Sequence, residues 1–242
     1  MARNLSPLTA ESLKDAFVSR FEHMILSGDL SIGEKLPAER DLAQQLGVSR
    51  PVVHEGLVDL VARGLLTIRP RRGAVVNDFR KTGSLALLNS LVNYEGGLDP
   101  SLLQGLLDMR ELMEGEIARL AARHRSTAQV EMLQAIVTSE ADALEDAAAF
   151  CDLDFDFHHQ LAMASANPLY PLLLNSFRNV YRHLTKRFFT IAGSARRTHQ
   201  FHREIVAAIA AGEKTRATEI MGRMLAHGRR MLLTVIEETQ GA

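Results

Sequence analysis

The feature that most constrains the fold is where strand-forming sequence stops. Two short β-prone stretches, LLTIR and AVV, flank PRRG, and beyond Val76 no strand pattern appears in a chain of 242 residues. From Ser101 onward apolar residues recur at helical spacing almost without interruption. A parallel nucleotide-binding sheet, a β-sandwich or a barrel would need strands spread along the chain. The pattern therefore predicts a mainly α protein with one hairpin near its N-terminus.

The first eighty residues read as a small unit. Leu13, Phe17, Phe21, Met24 and Ile25 share a helical face, and Gly28 stops that helix. A turn (GDLSIGEKLP) leads to a second short helix, AERDLAQQL, with Leu42 and Leu46 facing inward and Gly47 as its stop. Ser49 is placed as the N-cap of a third helix, with Pro51 in its first turn. Val52, Val53, Leu57, Leu60 and Val61 line one side of that helix, and Gly64 ends it. Two short helices, a tight turn and then a hairpin are the layout of a winged helix-turn-helix. Arg63, Arg69, Arg71 and Arg72 follow Asp59 with no acid among them, which is unlike an arbitrary small helical domain.

Net charge is −1, which alone argues against a nucleic-acid binder. The charges are unevenly spread, however. Eight carboxylates fall between Glu131 and Asp156 in a stretch without Lys or Arg. Between Phe157 and Arg203 there is no acid, while Arg178, Arg182, Lys186, Arg187, Arg196, Arg197 and Arg203 all occur. One cysteine, Cys151, excludes an internal disulfide framework and a Cys-rich zinc module. No apolar run is long enough for a membrane span, and the N-terminus lacks a secretory core, so the expected location is cytoplasmic.

Residues 36–76 resemble the GntR family of bacterial transcription regulators. The likeness is carried by Leu-Pro-Ala-Glu-Arg, then Leu-Gly-Val-Ser-Arg, a hydrophobic helix, and Arg-Gly entering a wing strand. It implies DNA contacts at Arg40, Ser49, Arg50, Pro51, Val52, Val53, Arg72 and Gly73, with His54 where the family usually has Arg. The chemistry agrees. A guanidinium at the start of a recognition helix can bond two acceptors on guanine, and a wing-tip glycine permits close approach to a phosphate.

In the second half, Arg110–Glu114–Ala118, Asp154–Phe157–His158, Ser165–Asn167–Pro168 and His202–Ile205–Ala208 resemble the all-helical effector domain of FadR-type members. Residues 76–91 and 150–181 are similar to its fatty-acid-responsive members. Asp154 and His158 lie four apart on one helix face and can chelate one ion, with His202 as a third ligand. The resemblance implies one divalent ion (zinc, nickel or manganese) held with a further histidine. Met224 stands at that position here, and the nearest imidazole is His227. The alternative is a buried hydrogen-bonded Asp–His pair.

Arg110 matches a position that meets an effector carboxylate in the family. Arg178, Tyr181 and Arg182, in the acid-free aromatic tract, suit an anion with an apolar body. The effector is then a small organic acid or an acyl-CoA. The expected organisation is a winged helix-turn-helix over 1–78, a linker over 79–83, and an all-α bundle of about six or seven helices for effector binding and dimerisation over 84–242. A homodimer reading a palindromic DNA operator follows from recognition by two helices one turn apart. A metal-dependent hydrolase built on Asp154, His158 and His202 is the rival from another class.

Overall fold

The computed structural model describes residues 12–69, 73–87 and 100–240, with side chains described as far as Thr234. The chain divides into two compact units, 1–96 and 97–242.

The first unit opens with α1 (Leu13–Ser27), capped by Ser12, whose hydroxyl accepts from the Asp15 N–H, and closed by left-handed Gly28. Next come α2 (Glu39–Leu46) and α3 (Arg50–Ala62), then β1 (Leu66–Arg69) and β2 (Gly73–Val76). The two strands pair antiparallel, with Leu66 opposite Val76 and Arg69 opposite Gly73. Val53, Leu57 and Leu60 of α3 pack with Phe17, Phe21 and Ile25 of α1 and with Leu65, Leu66 and Val76 to form one core. Val61, expected on that inner side, is instead 36% exposed. Val52 is only half-buried. The buried stripe is narrower because it runs through Gly56, Leu57 and Leu60.

Two further features differ from the sequence reading. The end of the segment read as a plain turn joins the sheet: Lys35 bridges Val75, and the Gly33 and Leu36 N–H groups donate to Val76 and Ala74 at 2.9 Å. The expected linker, 79–83, includes a helical turn, α4 (Phe79–Thr82), bound to this unit. The Thr82 hydroxyl and the Asn77 side-chain amide both donate to the Gly64 carbonyl, at 2.8 and 3.0 Å. Gly64 has φ +81°, and a Cβ there would lie 1.9 Å from the Thr82 carbonyl oxygen. Only glycine fits. Leu87 is buried in the same core.

The second unit is an all-helical bundle. Its helices are α5 (Pro100–His124), α6 (Thr127–Asp142), α7 (Ala147–Ala164), α8 (Leu169–Ser176), α9 (Arg178–Phe188), α10 (Ser194–Ala211) and α11 (Lys214–Gln240). The anticipated breaks fall where the chemistry puts them. Ser126 and Gln129 form a reciprocal capping box, Asp146 accepts from the N–H groups of Ala148 and Ala149, and Gly193 and Gly212 are left-handed. A break at Phe177, between α8 and α9, was not anticipated. The main core joins α5, α6, α7, α10 and α11 through Ile117, Leu133, Phe157, Leu161, Ile205, Ile209 and Ile220. Alanines 118, 121, 122 and 208 are fully buried there, as close helix approach requires.

α9 packs against α7. Their charge blocks meet: Arg182 pairs with Asp152 at 2.8 Å and Arg178 with Asp156 at 3.7 Å, while Arg196 of α10 reaches Glu145 at 3.3 Å.

Candidate functional site

The N-terminal end of α3 is exposed. Ser49 has extended N-cap geometry, but its hydroxyl makes no capping hydrogen bond, so it remains available to another acceptor or donor. Arg50 and Pro51 follow on the surface, and Arg40 on α2 is 81% exposed apart from a 3.3 Å contact with Asp41. His54 is exposed and its Nδ1 lies 3.0 Å from Glu39, tying α3 to α2. Val53 is wholly buried, so its side chain belongs to the core and not to a DNA-facing surface. Gly73 is exposed at the start of β2, and Arg72 lies outside the described residues.

Arg63 is not a free surface cation either. It binds Asp59 at 2.9 Å and buried Glu22 at 2.6 Å, and so clamps α3 to α1. Its role is structural.

In the helical unit, Asp154, His158 and His202 come together wholly inside the protein, each offering one donor atom within 4.8 Å of the others. Asp154 and His158 are one turn apart on α7, and His202 faces them from α10. The Asp154 Oδ1 atom lies 3.6 Å from His202 Nε2 and 3.9 Å from His158 Nε2. The second nitrogen of each ring is anchored by a glutamate. Glu140 of α6 takes His202 Nδ1 at 2.6 Å, and Glu114 of α5 stands against His158 Nδ1. Stacking on Phe157, with centroids 3.6 Å apart, fixes the plane of the His202 ring. Carboxylate-anchored imidazoles presenting their other nitrogen to a shared point are the usual setting of metal-ligating histidine.

Glu140 was not identified from the sequence. Its partners are 59 and 62 residues away, at His199 and His202, and only the fold brings them together. Met224 is buried in the core and lines the cavity beside this centre, whereas His227 does not line it. Burial and the neighbouring Arg197 and Arg230 push the His227 imidazole below its ordinary pKa.

Asp154 and His158 form one wall of a cavity of about 100 Å³. Arg110 and Tyr181 line it as well, and most of the remaining lining is apolar, Leu106, Leu184 and Phe188 among it. Arg110 donates to Glu114 at 2.5 Å and to the Tyr181 hydroxyl at 3.1 Å, and one of its terminal nitrogens lies 3.3 Å from His158 Nε2. The Tyr181 hydroxyl in turn donates to Asp154 Oδ2. Burial alone would raise the Glu114 carboxyl, but the charges of Arg110 and His158 outweigh it and bring the group down to about 2. Burial, joined by the Asp154 and Glu114 carboxylates, pushes the Tyr181 phenol well up.

The other two expected effector residues do not line the cavity. Arg178 and Arg182 are about half exposed and pair with Asp156 and Asp152 on the outer side of α7. Residues three and four apart on one helix share a face only in part, and here Tyr181 turns inward while Arg178 and Arg182 do not.

Comparison with known proteins places these two units. Residues 13–76 match the model of the bacterial regulatory proteins of the gntR family, and residues 77–235 match that of the FadR C-terminal domain. A fatty acid metabolism regulator protein of Shewanella amazonensis is 34% identical over 174 residues, 72% of this chain and 70% of that one. The HTH-type transcriptional regulator Mce2R of Mycobacterium tuberculosis is 30% identical over 232 residues, 96% of each chain. Among solved structures, a GntR protein of Streptococcus agalactiae is 28% identical with a TM-score of 0.50, covering 90% of this chain and 99% of that one. The Listeria monocytogenes regulator Lar shares the fold, with a TM-score of 0.65 at 20% identity over 94% of this chain and 99% of that one. No helix among the described residues is long and apolar enough to cross a membrane. The hydrolase reading is set aside, because these families and relatives are regulators and not enzymes. With a winged head and a helical bundle each matched along its length, the chain belongs to the GntR family of bacterial transcription regulators, with a FadR-type C-terminal domain.

Proposed function

We propose that this regulator binds a palindromic DNA operator as a homodimer and responds to a carboxylate ligand held in the helical unit beside a divalent metal ion. The observation that carries the metal reading is His202 Nε2. It is buried without a hydrogen-bond partner among the described residues and faces the Asp154 carboxylate at 3.6 Å. With Nδ1 donating to Glu140, a neutral ring turns its Nε2 lone pair toward an anionic oxygen. Two acceptors in that arrangement repel unless a cation lies between them. Bonds of about 2.0–2.1 Å to a tetrahedral zinc place neighbouring donor atoms about 3.4 Å apart, close to this spacing.

Asp154, His158 and His202 would hold the ion, which supplies a Lewis-acidic point for a carboxylate oxygen. Met224 is a poor fourth ligand for a hard ion and leaves a position open. Arg110 would give the same carboxylate a charged hydrogen bond, and the apolar lining would take the carbon body. The cavity volume favours a small acid, serving regulation of carboxylate metabolism. A second reading, a long-chain acyl-CoA and genes of fatty-acid metabolism, is supported by the relatives' names and by residues 76–91 and 150–181.

On the DNA side, exposed Arg40, Ser49 and Arg50 support backbone and base contacts from α2 and α3. Elemental analysis of purified protein, with melting before and after chelation, tests the metal. Absence of zinc, nickel and manganese with unchanged melting overturns it. Calorimetry with palmitoyl- and oleoyl-CoA against lactate, pyruvate and gluconate separates the ligands, and no binding by any acyl-CoA ends the lipid reading.

A further inference from the structure

The short edge segment that joins the hairpin changes what the wing presents to solvent. In an antiparallel ladder, directly opposed residues point to the same face, as do residues two apart on one strand. Arg69 is opposite Gly73 and Lys35 is opposite Val75. Arg69, Gly73, Val75 and Lys35 therefore share one face, drawn from all three segments. Leu66, Ala74, Val76 and Leu36 share the other face and are buried in the core. The first face is the outer one, and among the described residues it is cationic at both margins with no carboxylate between them.

The side chains agree with the register. Lys35 and Arg69 are both exposed, and neither makes an ion pair among the described residues. Several other cations of this unit are engaged: Lys14 with Asp59, Arg63 with Asp59 and Glu22, Arg80 with Asp78. The Lys35 chain runs alongside Gly73, its Cε 3.5 Å from where a Cβ on that residue would stand. Because residue 73 lacks a side chain, nothing on β2 rises between Lys35 and Arg69 at that level. The result is a wing face on which the Lys35 chain lies beside Gly73 and Arg69 stands opposite that glycine on β1.

We infer that Lys35 and Arg69 form a phosphate-binding clamp on the outer face of the wing, gripping the DNA backbone on either side of Gly73. This rests on the DNA-binding reading and adds two contacts to it that lie outside the helix-turn-helix. Such contacts anchor the head without reading sequence. Each phosphate neutralised steepens the fall of log affinity with log salt by about 0.9.

The test uses the full chain, a duplex selected by the wild-type protein from a random pool, and an unrelated duplex of equal length. Binding is measured over a salt series for wild type, Lys35→Ala, Arg69→Ala and the double variant. Because both protomers of the dimer carry the pair, each single substitution is expected to reduce the salt slope by about 2 and the double by about 4, weakening both duplexes by the same factor. Lys35→Arg should restore the slope, and all variants should melt like wild type because both side chains are exposed. An unchanged slope in the double variant overturns the clamp, and so does a loss confined to the selected duplex. If the wild-type protein itself binds neither duplex, it is the DNA-binding reading that fails.

Discussion

Gly56 shows how one position can decide the packing of the head. A Cβ there would meet the Phe17 ring at 2.3 Å, and Phe17 is already stacked on Phe21 with centroids 4.4 Å apart. The missing side chain is what lets α1 lie close against α3. Overpacking typically costs about 1–3 kcal/mol, and the helix-propensity gain from Gly to Ala, about 1 kcal/mol, offsets only part of that. Gly56→Ala is therefore expected to lower the urea midpoint of the full chain, and adding Phe17→Leu should recover part of the loss. A single variant as stable as wild type would show that the ring moves aside freely. Nothing in the sequence marked Gly56 as special, since a glycine inside a helical pattern is ordinary until its neighbour is known. Gly28, Gly47 and Gly212 were legible as stops because each follows an apolar periodic run, and all three have positive φ.

At the scale of elements, α1 and α3 are joined by a polar lattice on the rim of the core: Lys14 to Asp59 at 2.9 Å, Asp59 to Arg63, and Arg63 to Glu22. The hydrogen bond from Arg63 leads the causes that hold the Asp59 carboxyl below its ordinary pKa, with burial opposing and Lys14 assisting. A depressed carboxylate stabilises the fold above its unfolded pKa, and that contribution is lost as pH falls through the folded value. Asp59→Asn should therefore destabilise the protein by about 1 kcal/mol near neutrality. The gap from wild type should close progressively below about pH 4. Thermal melts across that range decide it, and a gap that stays constant with pH would assign the effect to packing. Element boundaries were readable where a cap or glycine stood. The α8–α9 break was not, because LLLNSFRNV contains neither glycine nor proline and keeps its apolar spacing. The wing's third segment was missed for a related reason: four residues are too few to display an alternating pattern.

For the molecule as a whole, the family likeness located both units, and the i, i+4 spacing of Asp154 and His158 pointed to the buried centre. What stayed hidden was how distant residues orient it, because a Glu140–His202 contact depends on how α6 meets α10. Regulation requires that ligand and DNA favour the same or opposed states of one chain, and such coupling is reciprocal. Whatever factor the ligand imposes on operator affinity, the operator duplex must impose on ligand affinity. Calorimetry of the ligand with and without saturating duplex, set beside duplex titrations with and without ligand, should return one factor. Two different factors would mean that the measured effect is not equilibrium coupling. The charge arithmetic is also resolved at this scale. Three arginines of the basic tract in α9 and α10 are matched by carboxylates of α7 and the turn before it, so two tracts that look unbalanced along the sequence partly cancel in the fold.

Those paired charges also bear on how the protein searches a genome. A bundle whose arginines stood unopposed would stick to any polyanion it brushed against, and each such encounter would hold the winged head away from the groove. With Arg178, Arg182 and Arg196 already satisfied by their own chain, the face where α7 meets α9 and α10 offers less for nucleic acid to grip. Each pairing of this kind removes one competitor for the polyanion, and so favours first touches made by the exposed Arg40 and Arg50 of the small unit that reads sequence.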